Sequence, residues 1–246
     1  MPTEDLDTLV RRVDEDRWLA TRFAPPPVRA RLIAMYAVNY EIARLPETVR
    51  EAPLGAIRLE WWRSALSEGA LQAHPALEAL RASGGGAVAG MLAGIAEARG
   101  ADFEIAPFAT WTALENYVAG TARTLIAAAV EACDVGALGA EQEQFVDRAA
   151  LAWAYAGLLR AAPYWAARGR RFLPNGATEA EMLQRARGAY AEAKTLAPKM
   201  PAAAFPAFGY VALAPGYMRA LQRGRREQAL LWRQASLVAA SATGRI

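Results

Sequence analysis

The sequence predicts an all-α protein organised as a single domain over residues 1–246. Three observations predict it. Ala, Leu, Arg and Glu dominate the chain, and these residues favour helix. Alternating runs of Val, Ile and Thr, the mark of half-buried strands, do not occur. Proline and glycine recur between apolar-periodic stretches and divide them into roughly ten helices.

The elements follow in order. Thr3 with Asp5 predicts the cap of a first helix bearing Leu6, Leu9 and Val10 on one side. The stretch APPPV (24–28) ends that segment and opens a long apolar helix over 28–45, with proline in its first turn. Pro53 and Gly55 open the next helix, which carries Trp61 and Trp62. ASGGGAVAG (82–90) reads as a loop, since helical pattern resumes at once. Pro107 and Thr110 precede a helix over about 111–133, and a long helix is expected over 139–170, stopped by FLPNG. Thr178 and Glu181 have the spacing of a capping box. Residues 200–218 are uncharged but hold Pro201, Pro206 and Pro215, so a buried irregular helix is expected rather than a membrane span. A basic helix over about 217–240 closes the chain.

Composition excludes several classes. The net charge is +3, a mild bias that points to no nucleic acid. One cysteine, Cys133, allows no internal disulfide, and one histidine, His74, allows no zinc site of ordinary composition. His74 has no nucleophile beside it, so it reads as a surface residue rather than a triad member. No phosphate-cradling glycine loop with its lysine is present. The acidic start, MPTEDLDTLVRRVDEDRW, is unlike a secretory signal or a transit peptide. The expectation is a bacterial, cytoplasmic protein, with the inner-membrane surface as a peripheral alternative.

Four stretches go further: RFAPPPVRARLIAMYAVNYEIARL (22–45), APLGAIRLEWWRSAL (52–66), LENYVAGTARTLIAAA (114–129) and LLRAAPYWAARGRRFLP (158–174). In this order and spacing, over about residues 14–195, they resemble the squalene and phytoene synthase family. The resemblance implies an isoprenoid-synthase-type helical bundle around a central cavity. It also implies head-to-head condensation of prenyl diphosphates, with magnesium held by two Asp-x-x-x-Asp motifs. That spacing has a physical reason: residues i and i+4 share a helix face, so both carboxylates can bridge a hard cation to diphosphate oxygens.

This chain departs from the pattern. The first motif is expected after Tyr36, Ala37 and Val38, near positions 43 and 47, which hold Ala43 and Glu47, with Arg44 between them. In the second, Leu159, Arg160, Gly169, Arg170, Leu173 and Pro174 match, but the aspartate positions hold Ala161 and Trp165. No acid lies between Asp147 and Glu179. The same stretches look most like a non-catalytic branch of the family, typified by the mitochondrial assembly factor of respiratory complex I. The matches are Asn39, Glu41 and Ala43, then Arg160, Ala161, Pro163 and Tyr164.

The resemblance therefore implies a pseudoenzyme that binds or assembles a membrane complex, with no cofactor and no catalytic residue. One alternative is an active prenyltransferase with a magnesium site rebuilt from Glu41, Glu47 or Glu51. Another is a carrier for a prenyl or other lipid, with a cavity lined from Tyr36, Asn116 and Tyr155. An assembly protein would instead have that cavity filled by side chains such as Trp165. Candidate binding residues are Tyr36, Glu41, Arg44, Glu47, Asn116, Tyr117, Arg160, Tyr164, Arg168 and Arg170. Each has a plainer reading beside it. Glu41 and Arg44 can be a helix-face ion pair, Asn116 a buried structural amide, Trp61, Trp62, Trp153 and Trp165 core, and the arginines after Arg160 a solvated helix end. The closing basic helix reads either as solvated or as a peripheral membrane contact.

Overall fold

A computed structural model describes residues 5–49, 51–67 and 74–246. The helices are α1 (Leu6–Val13), α2 (Glu15–Thr21), α3 (Pro26–Ala43), α4 (Leu45–Thr48), α5 (Ala52–Ser67), α6 (Pro75–Ala82), α7 (Ala89–Ala98), α8 (Trp111–Val118), α9 (Thr124–Glu131), α10 (Ala140–Ala166), α11 (Glu179–Leu196), α12 (Phe205–Phe208), α13 (Ala214–Gln222) and α14 (Leu230–Thr243). No strand occurs among the described residues, so the all-α expectation holds. The chain divides into two compact units. The first is Met1–Phe103, Thr124–Ala137 and Ala203–Phe208, and the second is Glu104–Arg123, Leu138–Ala202 and Gly209–Ile246.

In the first unit α3 is the central element. Pro26 stands at its first turn, and every residue from Leu32 to Asn39 is buried. A helix that is apolar all round needs neighbours on every side, and α1, α2, α6 and α7 supply them. α5 lies along α7, and the ring of Phe103 packs onto Gly55, where a Cβ would come within 2.2 Å of it. Arg31 of α3 donates to the Ala132 carbonyl and the Asp134 carboxylate, both at 2.9 Å, fixing the turn after α9. Cys133 in that turn is buried. Its thiol is pushed from 9.0 up to about 12, chiefly by burial and then by the Asp134 charge, so it stays protonated.

Helix starts were legible here, and some ends were not. Asp5 stands before α1 but makes no side-chain cap bond, and Thr3 lies outside the described residues. A break at Asp14, whose carboxylate accepts from the Arg17 amide at 3.4 Å, splits the expected first helix in two. α3 ends at Ala43 because Pro46 has no amide to offer the Ile42 carbonyl.

The second unit is built on α10 packed along α11. The Gly139 amide donates to Gln142 Oε1 at 2.7 Å at the start of α10. The expected capping box of α11 is present: the Glu181 amide donates to Thr178 Oγ1 at 3.2 Å, and the Thr178 amide to Glu181 Oε2 at 2.7 Å. Three expectations are corrected. α10 ends at Ala166, not near 170: Gly169 takes φ +70° and the Arg170 amide turns back to the Trp165 carbonyl at 3.0 Å. The closing helix over about 217–240 is two helices. Gly224 takes φ +69° and the Arg225 amide closes onto the Ala220 carbonyl at 2.8 Å, separating α13 from α14. The helix expected over 111–133 is likewise interrupted, with a π-type turn at Ala119–Arg123 between α8 and α9.

Candidate functional site

In the first unit, the stretch expected to carry the first metal motif lies at the end of α3. Tyr36 is buried, with the Arg17 guanidinium over its ring at 5.7 Å. Glu41 and Arg44 form the ion pair that their spacing allows, at 3.3 Å, and Arg44 also covers the Tyr40 ring at 5.4 Å. Both partners are partly exposed, so the pair contributes only a few tenths of a kcal/mol. Ala43 is the last residue of α3, and Glu47 is exposed on the separate turn α4. The break at Arg44 removes the shared helix face that i and i+4 spacing implies. Glu51 is also exposed.

In the second unit, the second-motif stretch lies at the end of α10. Ala161 and Trp165 are both partly buried. The Trp165 ring packs against Tyr164 at 5.0 Å and Phe172 at 5.3 Å, with the Arg170 guanidinium 5.7 Å from its centre. Arg160 stacks on the Tyr217 ring at 3.8 Å, donates Nη2 to Glu227 at 3.0 Å, and donates Nε to the Arg226 carbonyl at 3.0 Å. It is thereby a tie to the segment after α13. Arg168 lies over the Tyr164 ring at 3.6 Å and donates to the Tyr164 carbonyl at 3.1 Å. Arg168, Arg170 and Arg171 follow directly on the C-terminus of α10, where Arg168 meets one of its last carbonyls, which agrees with the plainer reading of this run as a solvated helix end. Beside Trp165, on the neighbouring face of α10, Leu158, Leu159, Ala162, Pro163, Phe172 and Met182 line an apolar pocket of about 350 Å³, with Arg170 and Arg171 at its edge.

On α8 the sequence assigned the wrong residue. Leu114 and Val118 are buried, which sets the inward face. Asn116 is two positions from Leu114, on the opposite side, and is exposed. The reading of it as a buried amide is therefore corrected. Tyr117 is partly buried against Phe108 at 5.1 Å. The polar residue of α8 that reaches a buried group is the half-exposed Glu115. It accepts from the buried Tyr155 hydroxyl at 3.3 Å and pairs with Arg185 at 3.5 Å, while Arg185 lies over the Trp111 ring at 4.2 Å. Burial, followed by the Glu115 charge, pushes the Tyr155 hydroxyl far above its ordinary value. No sequence signal singled out Glu115, because helix neighbours stand about 100° apart and do not share a face. Arg185 carried none either. Of the tryptophans, Trp62 is buried and Trp153 packs on Tyr210 at 4.8 Å, but Trp61 is exposed, which corrects its reading as core.

A family model described as squalene/phytoene synthase matches residues 10–180, a span that includes both motif stretches. The chain belongs to the squalene/phytoene synthase family. Two solved structures share the fold across nearly the whole chain. A dehydrosqualene synthase solved in complex with ligand gives a TM-score of 0.70 at 16% identity, covering 97% of this chain and 94% of its own. The squalene synthase HpnC of Alicyclobacillus acidocaldarius gives 0.67 at 18% identity, covering 97% and 92%. Two curated relatives carry a different kind of name. The mouse (Mus musculus) NADH dehydrogenase (ubiquinone) complex I assembly factor 6 is 24% identical over 87% of this chain and 72% of the relative. Its rat (Rattus norvegicus) counterpart is 23% identical over the same shares.

The family's chemistry implies magnesium, and the side chains at the two stretches do not fit it. A magnesium ion takes oxygen ligands in near-octahedral geometry. Ala43, Ala161 and Trp165 offer none, Glu47 stands alone on an exposed turn, and Glu41 is held by Arg44. Among the described residues no group of three or more His, Cys, Asp or Glu side chains is arranged to hold a metal.

Proposed function

We propose that this chain is a non-catalytic member of the squalene/phytoene synthase family that acts in the assembly of a respiratory membrane complex. The observation that carries this reading is the second-motif stretch. The resemblance gives the second motif's carboxylate positions to Ala161 and Trp165, and Trp165 is packed into an aromatic cluster with Tyr164 and Phe172. Diphosphate leaves only when its charge is neutralised, and charge stabilisation of this kind is commonly the largest catalytic contribution. The curated relatives named complex I assembly factor 6 supply the direction of the proposal.

The test is pyrophosphate release from farnesyl or geranylgeranyl diphosphate with Mg²⁺, using the wild type, Glu47→Gln and, as control, the exposed Glu97→Gln. No release above background is expected from any of the three. Release that disappears in Glu47→Gln and persists in Glu97→Gln would sink the proposal and establish a rebuilt metal site. In a strain lacking the chain, assembled NADH dehydrogenase activity should fall while isoprenoid products stay unchanged.

A second reading, a carrier for a prenyl or other lipid, is favoured by the apolar pocket beside Trp165, whose volume is within the range of small-molecule sites. Extraction of the purified protein and mass spectrometry of the organic phase would decide it: a stoichiometric lipid lost in Ala162→Trp supports the carrier.

A further inference from the structure

We propose that the segment from α13 to α14 is a docking surface for an anionic lipid bilayer. α14 already uses one apolar face. Leu237 and Ala240 are buried, and the helix packs on the turn Gly209–Leu213. A second apolar stripe faces outward. Leu231, Ala235, Val238 and Ala242 recur at i, i+4, i+7 and i+11 and are all exposed. Leu231 is 78% exposed and Trp232 73%. Nothing in the fold of this unit requires these two side chains at the surface.

Beside Trp232 runs a groove of about 560 Å³ whose walls carry Arg219, Arg223 and Arg225. Among the described residues, none of these three arginines makes an ion pair. The single acid between 209 and 246 is Glu227, which also lines the groove and pairs with Arg160 at 3.0 Å, so three arginines face one carboxylate that is already paired and the groove stays net positive. The groove is built rather than adopted on contact. Gln228 Nε2 donates to the Leu213 carbonyl at 2.9 Å, and Arg226 donates to the Leu159 carbonyl at 2.6 Å. Gly216 lets the Gln228 side chain come closer than any Cβ would allow.

The combination selects the occupant. An aliphatic stripe wants hydrocarbon, an indole at its border suits the headgroup level, and adjacent cations want lipid phosphates. A nucleic acid would use the arginines and the ring but not the aliphatic stripe. A protein partner of ordinary composition would leave three arginines to be matched one by one. No helix of the described residues is long and apolar enough to cross a membrane, so the contact is with the surface. This inference does not rest on the assembly reading; an enzyme taking lipid substrates would use the same face.

Flotation of the full chain with vesicles tests it, comparing phosphatidylcholine alone with phosphatidylcholine mixed with phosphatidylglycerol, at low and high salt. The wild type should float with the anionic vesicles only, and less at high salt. Arg223→Gln with Arg225→Gln should weaken partitioning about 25-fold, about fivefold per charge. Leu231→Asp with Trp232→Asp should abolish flotation without changing the circular dichroism spectrum, since both side chains are exposed. A wild type that stays out of the anionic fraction overturns the proposal, as does flotation that ignores both pairs of substitutions. A dimer in solution that dissociates in Leu231→Asp with Trp232→Asp, without vesicle binding, assigns the face to a second copy instead.

Discussion

Arg160 shows why a residue's role cannot be transferred by position alone. In the resemblance it belongs to a motif that faces diphosphate; here its guanidinium is held by Tyr217, Glu227 and the Arg226 carbonyl. A planar fork can stack and bond in this way, while an ammonium cannot. Arg160→Ala should therefore free the segment at Gly224–Ala229, which limited proteolysis would detect as faster cleavage there. Arg160→Lys should restore little of the protection. The cost in global stability should be modest, about 1–2 kcal/mol, because the ion pair is partly exposed. Protection of the wild type by added pyrophosphate would contradict this, since it would mean that Arg160 still meets an anion. Glu115 is the converse case: no motif pointed to it, yet it joins Tyr155 and Arg185. Neither partner was marked by the helical period, and Arg185 comes from a distant helix that only the tertiary fold brings near.

Helix starts could be read from the sequence, and several helix ends could not. Starts are written in local chemistry: Pro26 in the first turn of α3, Thr110 before α8, the Thr178–Glu181 box of α11. Ends at Gly169 and Gly224 depend on a single glycine adopting the left-handed region, and nothing in the flanking arginine-rich sequence distinguishes those glycines from helical ones such as Gly157. Gly55 is in the middle of α5 for another reason, the Phe103 ring resting on it. Replacement by alanine improves helix propensity by about 1 kcal/mol but overpacks the contact, which costs about 1–3 kcal/mol. The net effect of Gly55→Ala should be a lower denaturation midpoint. In Phe103→Leu, where the ring is gone, the same substitution should be neutral or stabilising. Additive behaviour of the two substitutions in urea unfolding would show that the ring moves aside freely and that Gly55 is not required by packing.

At the scale of the whole molecule, fold and chemistry separate. The all-α architecture, the family and the order of the four motif stretches were all readable from periodicity and resemblance, because a helical core tolerates wide variation in sequence as long as apolar spacing is kept. A metal site tolerates almost none, and Ala43, Ala161 and Trp165, at the positions the resemblance gives to metal carboxylates, carry no side-chain oxygen. The proposed non-catalytic role bears on stability as well as activity. A ligand that binds only the folded state raises its stability by RT ln(1 + [L]/Kd), about 2.7 kcal/mol at a hundredfold excess over Kd, which is several degrees in Tm for a chain of this size. Mg²⁺, EDTA, and Mg²⁺ with farnesyl diphosphate should therefore each leave Tm within about one degree of the bare protein. A rise with Mg²⁺ and farnesyl diphosphate together, but with neither alone, would mean that a ternary site exists and would count against the non-catalytic reading. A rise with farnesyl diphosphate alone, insensitive to EDTA, would instead indicate an apolar pocket that takes the prenyl chain without needing the metal. Ala162→Trp, which fills the pocket beside Trp165, should remove such a rise if that pocket is its source.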